Sequence, residues 1–476
     1  MAEERTIQYK LAEPWRNTLW PLTTGVNNMF MILMMFISYV AAGGYGIAVS
    51  VAGIIVTGTR IFDAVLDPIV ALMSDKLTTR FGRVRILLGL GYGIMVLAVI
   101  IIFYWGIGTN TIVFILAYIL YMVGYTFFGI AQNMGGPIIT NEPKQRMIQA
   151  RWRTIFTQVF AALVSVYMSM FLAKKYGGLQ LGAFQELSVV CIVAGVVMVA
   201  ISMIAISPYD KMDNFISGKK EAVKLKDCWE LVKGNRPMWA FIVAASTEKL
   251  ALQAASQSAI TTMVFGIIIG NYAFNGSLNL ITLIPCIAMI FYGTKLRGKG
   301  DVKSILIKWS WIAIGFAVLL IAFLAIDDPT KISVSPIYTA LFLILFCLFT
   351  GAKVITSVCT SAMIPDLVDY EMYRSGNYLP ATVGAIYSFI DKLISSLATT
   401  IVAFCIATIG YASQMPQPTD PRTPAIFWMS MALWLGLPIL GWLFTVVAMR
   451  FYKLDGEMMK KVQIANQIKR QEMLTK

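Results

Sequence analysis

The chain of 476 residues contains no histidine and little charge. Only 13% of its residues are Asp, Glu, Lys or Arg, whereas about 25% is usual for a soluble domain. Without histidine, the chain lacks the commonest metal ligand and any imidazole proton relay. Its six cysteines show no Cys-x-x-Cys spacing, which gives no indication of a zinc or redox centre. We therefore expect no cofactor and no resident metal.

Apolar residues dominate the chain, at 58% of the total. Runs long enough to cross a bilayer, about 18 residues or more, recur along its whole length. The sequence therefore predicts an all-α integral membrane protein with twelve spans and the lipid bilayer as its surroundings. The predicted spans are 19–41, 47–74, 86–105, 111–137, 154–173, 187–207, 238–265, 278–294, 305–325, 336–364, 383–410 and 425–449.

Positive charge is divided unevenly between the connections of these spans. One set of connections, with both termini, holds 30 of the 39 Lys and Arg residues, whereas the opposite set holds 4. Since cytoplasmic loops carry the excess of Lys and Arg, we expect a multi-pass protein of the plasma membrane with both termini cytoplasmic. The net charge of +14 is then a topology signal and does not indicate a nucleic-acid partner.

A polar stretch, SPYDKMDNFISGKKEAVKLKDCWELVKGNRP, separates six predicted spans from six others. Basic loops, SDKLTTRFGRVR and GTKLRGKGDVK, follow the second and the eighth span, at corresponding places in the two halves. Such correspondence is typical of transporters built from internal repeats. We expect four parts: an N-terminal six-helix bundle (1–207), a cytoplasmic middle loop (208–237), a C-terminal six-helix bundle (238–450) and a cytoplasmic tail (451–476).

Three charged residues in RIFDAVLDP lie where hydrocarbon is expected. Asp63 and Asp67 are one helical turn apart on one face, and Arg60 precedes Asp63 by three residues on that face. A charge at mid-depth costs at least about 2.5–3.5 kcal/mol, so these side chains must face a bundle interior or a wet cavity. One interpretation is a structural salt bridge. Because one arginine neutralises only one carboxylate, the other interpretation is that the site binds a proton or a hard cation such as Na⁺.

The second half carries further deep charges: Glu248, Lys249, Lys353, Asp391 and Lys392. Adjacent residues of a helix lie about 100° apart, so Glu248 and Lys249 cannot point the same way. With the three charges of RIFDAVLDP, the set holds four cations and four anions, a balance that a closed bundle can tolerate. For Lys353, snorkelling to the bilayer surface is the alternative to a place inside the bundle.

Two stretches resemble the signatures of a known family. The run RIFDAVLDPIVALMSDKLTTRFGRVR resembles the first signature of the glycoside–pentoside–hexuronide:cation symporters, and MIPDLVDYEMYRSGNYLPATVGAIYSFIDKL resembles the second. The resemblance implies a major facilitator fold, with twelve transmembrane helices in two six-helix bundles around a central cavity. It also implies symport of a cation and a sugar by alternating access, without covalent chemistry.

The resemblance further implies roles for individual residues. Asp63 and Asp67 match the cation-site carboxylates of the family, where Na⁺ can bind, and Arg60 matches the arginine beside them. Substrate contacts are implied for Asn27, Tyr125, Asn133, Arg153 and Lys392. We add Lys249 and Lys353, which are deep cations of the second half, as candidates for pairing with an anionic substrate.

Three positions lack an acid that the melibiose branch of the family has: Asn27, Gly129 and Pro380. Fewer carboxylates and additional lysines make the expected cavity more positive. We therefore expect H⁺ rather than Na⁺ as the coupling ion, and an acidic substrate such as a uronide. A neutral sugar stays open, because Asn, Gln and Tyr side chains can hydrogen-bond hydroxyl groups.

Other classes of protein fit the sequence less well. No nucleophile, metal-ligand or general-base pattern is recognisable, so the chain is not expected to be an enzyme. Two alternatives remain within transport. The protein could be an uncoupled sugar facilitator or exporter, or a carrier of an amphipathic lipid. We expect it to act as a monomer.

Overall fold

A computed structural model shows a chain made of helices. It describes residues 11–76, 82–140, 142–210, 235–297, 301–375, 380–454, 456–459, 461–462 and 464–466. Within these ranges no β-strand occurs, and the all-α prediction is confirmed.

The first half of the chain contains both short and long helices. In chain order they are α1 (Pro14–Leu19), α2 (Leu22–Met35), α3 (Ile37–Tyr45), α4 (Val49–Lys76), α5 (Val84–Ile100), α6 (Thr111–Ile139), α7 (Pro143–Val166), α8 (Ala173–Lys175) and α9 (Leu181–Ile206). Two π-helical segments continue α5 and α7, at Ile101–Trp105 and Tyr167–Leu172.

The second half of the chain also contains both short and long helices. Its helices are α10 (Arg236–Ala255), α11 (Ser258–Thr261), α12 (Ala273–Ile281), α13 (Leu283–Arg297), α14 (Val302–Ile326), α15 (Lys331–Val334), α16 (Pro336–Ser375), α17 (Pro380–Thr408), α18 (Pro424–Met431) and α19 (Leu437–Phe451). Two π-helical segments, Thr262–Ile268 and Ala432–Gly436, continue α11 and α18.

By length and composition, nine of the described helices could cross a membrane, and up to eleven could if each bent pair is one span. The bent pairs are Pro14–Met35 with Ile37–Tyr45, at 46°, and Arg236–Ala255 with Ser258–Ile268, at 51°. A shorter apolar helix, Ala273–Met289, overlaps the eighth predicted span. The described helices thus fall on all twelve predicted spans and are consistent with their number.

Local sequence explains where several helices begin. The Asn110 side chain accepts a hydrogen bond from the backbone N–H of Val113, at 3.1 Å, and so caps α6. Thr423 caps α18 in the same way, with the backbone N–H of Ile426 at 3.2 Å, and Pro424 follows at the first helical position.

The start of α5 is fixed by a carboxylate that is distant in the sequence. Asp210 accepts hydrogen bonds from the backbone N–H groups of Arg83, Val84 and Arg85, at 3.0, 3.2 and 2.9 Å. Gly82 has a φ of +91°, and a Cβ there would lie 2.1 Å from an Asp210 oxygen. A glycine is therefore needed at position 82, because a side chain would disfavour this backbone conformation and would clash with Asp210.

The chain divides into two compact units, residues 1–220 with 411–415 and residues 221–410 with 416–476. In the first unit, α5 and α6 pack closely, because a Cβ at Gly91 would lie 2.5 Å from the backbone nitrogen of Phe128. In the second unit, the fully buried core draws on α10, α14, α16 and α19. Its members include Met238, Phe241, Leu306, Ile355, Met363 and Met449.

Candidate functional site

Asp63 lies on α4 and is buried in the first unit, with 9% of the residue exposed. The Thr126 hydroxyl of α6 donates a hydrogen bond to Asp63 Oδ1 at 2.7 Å. Thr126 itself is 3% exposed, so this hydrogen bond lies in a place of low dielectric. The carboxyl can accept a proton or contribute oxygen ligands to a hard cation.

A row of tyrosines on α6 borders this carboxyl. The Tyr118 ring stacks on the Tyr121 ring, with centroids 6.1 Å apart, and Tyr121 lies 6.0 Å from the Tyr125 ring. Arg60 and Asp63 both lie close enough to the Tyr118 hydroxyl to act on it electrostatically. The structure therefore brings Arg60, Asp63 and Tyr125 to one region. Helical spacing predicted the proximity of Arg60 and Asp63, whereas Tyr125 was implied by the family resemblance.

Three residues of this region were missed by sequence reasoning: Tyr118, Tyr121 and Thr126. The Tyr121 hydroxyl is buried and has no hydrogen-bond partner among the described residues. The tyrosines of YILYMVGYT, at 118, 121 and 125, are three and four residues apart, a spacing that places them on one helix face and could have found Tyr118 and Tyr121. Thr126 has no such signal. Asp67 lies on α4, but its side chain is outside the part of the chain that the structure describes.

A second polar group of the first unit joins α2, α6 and α7. Arg153 donates to the Asn133 side-chain oxygen at 3.3 Å, which brings two predicted substrate residues together. Asn27 is half-buried, and its side-chain oxygen has no hydrogen-bond partner among the described residues. Gln132, which was not predicted, donates to the Thr24 hydroxyl at 2.6 Å.

In the second unit, Lys249 of α10 forms an ion pair with Asp391 of α17. The Asp391 side chain is 4% exposed, whereas the Lys249 side chain is 52% exposed. Lys392 also acts electrostatically on Asp391. The structure therefore gathers two of the three predicted lysines around one buried carboxylate, although Asp391 was not itself predicted as a site residue.

Lys353 lies apart from that pair. On α16 it is half-buried, and the group that acts on it electrostatically is the Cys286 thiol of α13. It makes no ion pair among the described residues. The structure does not bring Lys353 together with Lys249, and the role predicted for it stays a prediction.

Glu248 points away from Lys249, as their adjacent positions on one helix require. Its carboxyl is buried, with 4% of the residue exposed. Both of its recorded donors are neutral: the Thr356 hydroxyl at 2.5 Å and the Trp442 indole N–H at 3.1 Å. Glu248 is one of the deep charges expected from the sequence, but no role was predicted for it.

Comparison with known proteins places the chain among transporters. A family model described as MFS/sugar transport protein matches residues 23–456. The putative glycoside/cation symporter YagG of Escherichia coli (strain K12) is 24% identical over 432 residues, which cover 87% of this chain and 89% of the relative. The isoprimeverose transporter of Lactiplantibacillus pentosus is 21% identical over 456 residues, which cover 94% of this chain and 91% of the relative.

Solved structures show the same fold at lower sequence identity. A mutant form of the nucleoside transporter NupG superposes with a TM-score of 0.61 at 14% identity, covering 92% of this chain and 99% of that one. The major facilitator superfamily transporter FucP in its outward conformation gives a TM-score of 0.51 at 14% identity, covering 92% of this chain and 98% of that one. These likenesses concern the fold alone.

Proposed function

Since this chain belongs to the MFS/sugar transport protein family, we propose that it is a cation-coupled symporter of a sugar or glycoside that works by alternating access. Family membership makes it a multi-pass sugar transporter with the major facilitator fold and not an enzyme. It also confirms the resemblance to the glycoside–pentoside–hexuronide:cation symporters. The names of the relatives support a coupling ion and a small sugar as substrate.

The coupling site is proposed at Asp63, with Arg60 and Asp67 one turn away on either side. The observation that carries this proposal is the buried Asp63 carboxyl with its Thr126 hydrogen bond. We favour H⁺ over Na⁺, because protonation needs one carboxyl, whereas a hard cation needs several oxygen ligands. Position 129, one turn beyond Thr126, is a glycine and supplies none.

The substrate is proposed to be a glycoside, and an acidic one such as a uronide is favoured. In the first unit, Asn27, Tyr125, Asn133 and Arg153 would hydrogen-bond the sugar. In the second unit, the exposed part of Lys249 would pair with a carboxylate, a role also open to Lys353 and Lys392. Two lysines around the single carboxylate of Asp391 leave one positive charge for the substrate to neutralise.

Charge compensation would couple the two fluxes. Protonation of Asp63 removes negative charge from the first unit, and substrate binding compensates positive charge in the second. A carrier with both ligands or with neither would change conformation readily, because an uncompensated charge is costly in a dry, closed state. The protein would act as a monomer in the plasma membrane, with both termini on the cytoplasmic side.

The test is transport by purified protein in proteoliposomes. Uptake of a radiolabelled glucuronide is measured as counterflow and as uphill accumulation driven by a pH gradient or a Na⁺ gradient. We expect accumulation to follow the pH gradient in the wild type. Asp63→Asn should abolish accumulation while counterflow continues, because binding and isomerisation survive when the coupling proton is lost.

A matched control uses a carboxylate outside the spans. Hydrogen bonds from Lys331 and Tyr338 lower the pKa of Asp327 to about 2, so Asp327 stays ionised at every pH used in transport. Asp327→Asn should accumulate substrate like the wild type. If Asp63→Asn does so too, RIFDAVLDP is a structural salt-bridge segment. If no gradient drives accumulation in the wild type, the protein is an uncoupled facilitator.

A further inference from the structure

Glu248 is buried with an unequal distribution of hydrogen bonds over its two oxygens. Thr356 of α16 and Trp442 of α19 both donate to Oε1, at 2.5 and 3.1 Å. Thr356 and Trp442 are themselves fully buried. No described residue donates to Oε2. An ionised carboxylate shares its charge between two equivalent oxygens, whereas a carboxylic acid has one carbonyl oxygen that accepts and one hydroxyl that donates.

The charged and titratable groups around Glu248 leave it without a cationic partner in the described part of the chain. On α10, the neighbouring Lys249 is held by Asp391. On α17, Tyr387 lies near both Glu248 and Asp391, and Lys392 acts on Asp391.

The two other helices packed against α10 are α16 and α19. Among their described residues, neither places a cation where it would compensate a negative charge on Glu248. On α16, Lys353 precedes Thr356 by one turn, but its electrostatic partner is the Cys286 thiol of α13. On α19, Arg450 is the one charged residue, two turns beyond Trp442. A carboxylate in such surroundings would be buried without a counter-charge, which is costly, whereas a neutral acid carries no charge to compensate and its carbonyl oxygen accepts both hydrogen bonds.

We propose that Glu248 is a proton-binding site of the second unit, with the proton on Oε2 and the carbonyl oxygen Oε1 held by Thr356 and Trp442. This site is separate from Asp63, and it does not depend on Asp63 carrying the coupling ion. The bound ligand is H⁺ alone, since no cluster of carboxylates or thiols that could hold a metal ion occurs among the described residues. Tyr387 lies near both carboxyls. Glu248 and the Lys249–Asp391 ion pair therefore share one neighbourhood, and the charge of each acts on the other.

The effect of the Lys249–Asp391 ion pair on proton binding by Glu248 has a definite direction. When Lys249 leaves Asp391, the negative charge of Asp391 loses its main partner, and a second negative charge nearby at Glu248 becomes less favourable. Glu248 then holds its proton more tightly. An anionic group that draws Lys249 away from Asp391 would therefore favour the protonated form of Glu248.

The experiment is infrared spectroscopy of the purified full-length protein in lipid bilayers while the pH is raised. We expect the C=O stretch of a buried carboxylic acid, which disappears at high pH. Because a protonated Asp63 would contribute its own C=O stretch, the band is followed in the Asp63→Asn background, and the double variant Asp63→Asn with Glu248→Gln should lack it. Asp63→Asn should keep it, and that control separates a failure of this proposal from a failure of the coupling site at Asp63.

Two further variants keep the test informative if Glu248→Gln does not fold. Thr356→Val removes one donor to Oε1, and Lys249→Met removes the partner of Asp391. Each should move the loss of the band to higher pH by roughly one pH unit, because each takes away an interaction that favours the ionised form. A band that persists in the double variant Asp63→Asn with Glu248→Gln, or that does not move in either of the other variants, would overturn the proposal.

Discussion

Asp63 in the first unit and Glu248 in the second are buried to a similar extent, at 9% and 4% exposed, yet their surroundings differ. Asp63 lies one turn from Arg60 and accepts a hydroxyl hydrogen bond from Thr126. Glu248 has two neutral donors on one oxygen, and the cation next to it in sequence is bound elsewhere. At Glu248, burial without a cation favours the neutral acid, although its two donors by themselves favour the ionised form.

The largest effect that we expect is on the free energy of unfolding, when the Lys249–Asp391 ion pair of the second unit is broken. Lys249→Met would leave the buried Asp391 with only Lys392 acting on it, and we expect it to lower the free energy of unfolding by about 3 kcal/mol. Asp391→Asn leaves a lysine that water can solvate, since Lys249 is half-exposed, and should cost about 1 kcal/mol or less. Chemical unfolding of the purified variants in lipid measures both.

The double variant Lys249→Met with Asp391→Leu serves as the control for this pair. Removing both charges should recover most of the stability that Lys249→Met loses, because no buried charge is then left alone. Equal losses in the two single variants would contradict the prediction. They would mean that Lys249 is as poorly solvated as Asp391.

Lys392→Met sharpens the comparison by testing the surplus positive charge of the second unit. We expect KM for an acidic glycoside to rise about tenfold, which corresponds to about 1.4 kcal/mol, a value within the range of a hydrogen bond to a charged group. KM for the matching neutral glycoside should change little. Initial uptake rates for a glucuronide and a glucoside measure the difference, with Lys331→Met, outside the spans, as the control. Equal increases for both sugars would argue against an anionic substrate.

Gly129→Asp tests the reason for proposing H⁺ rather than Na⁺ as the coupling ion of the first unit. Its expected effect is the smallest of these. A Cβ at Gly129 would meet nothing within 4 Å, and position 129 lies one turn beyond Thr126 on α6. An added carboxylate there would supply oxygen ligands for a hard cation. We expect Na⁺ to stimulate uptake a few-fold in this variant and not in Gly129→Asn, which has the same size without the charge. Stimulation in both variants, or in neither, would count against the role given to this position.

The course of the helices was largely predictable. Described helices overlap all twelve predicted spans, and the span 278–294 falls on α12 and α13. The break of this span after Ile281 was not anticipated, although Pro285 follows it. The two bent spans were also missed, because the apolar runs continue through Phe36 and through Ser256–Gln257 without a proline. Hydropathy gives the length of an apolar run but not the direction of the helix axis, so it does not reveal a bend within the run.

The site was predictable in part. The helical period correctly placed Asp63 with Arg60 and turned Glu248 away from Lys249, because these relations lie within one helix. The partners across helices were not predictable. Thr126 for Asp63, Asp391 for Lys249, and Trp442 for Glu248 come from 63, 142 and 194 residues away in the chain. Residue type alone does not distinguish these threonines and tryptophans from others in the spans.

The sequence by itself determined that this protein is a helical membrane transporter. Hydrocarbon leaves a spanning segment no partner for its backbone groups except its own helix, so apolar runs of sufficient length specify the helices. Only the tertiary structure decided which deep charges are paired. An ion pair depends on the rotation and packing of two helices against each other, and that is fixed by contacts along their whole length. For this reason Lys249 is bound to Asp391, while Glu248, one residue earlier, is enclosed by neutral donors.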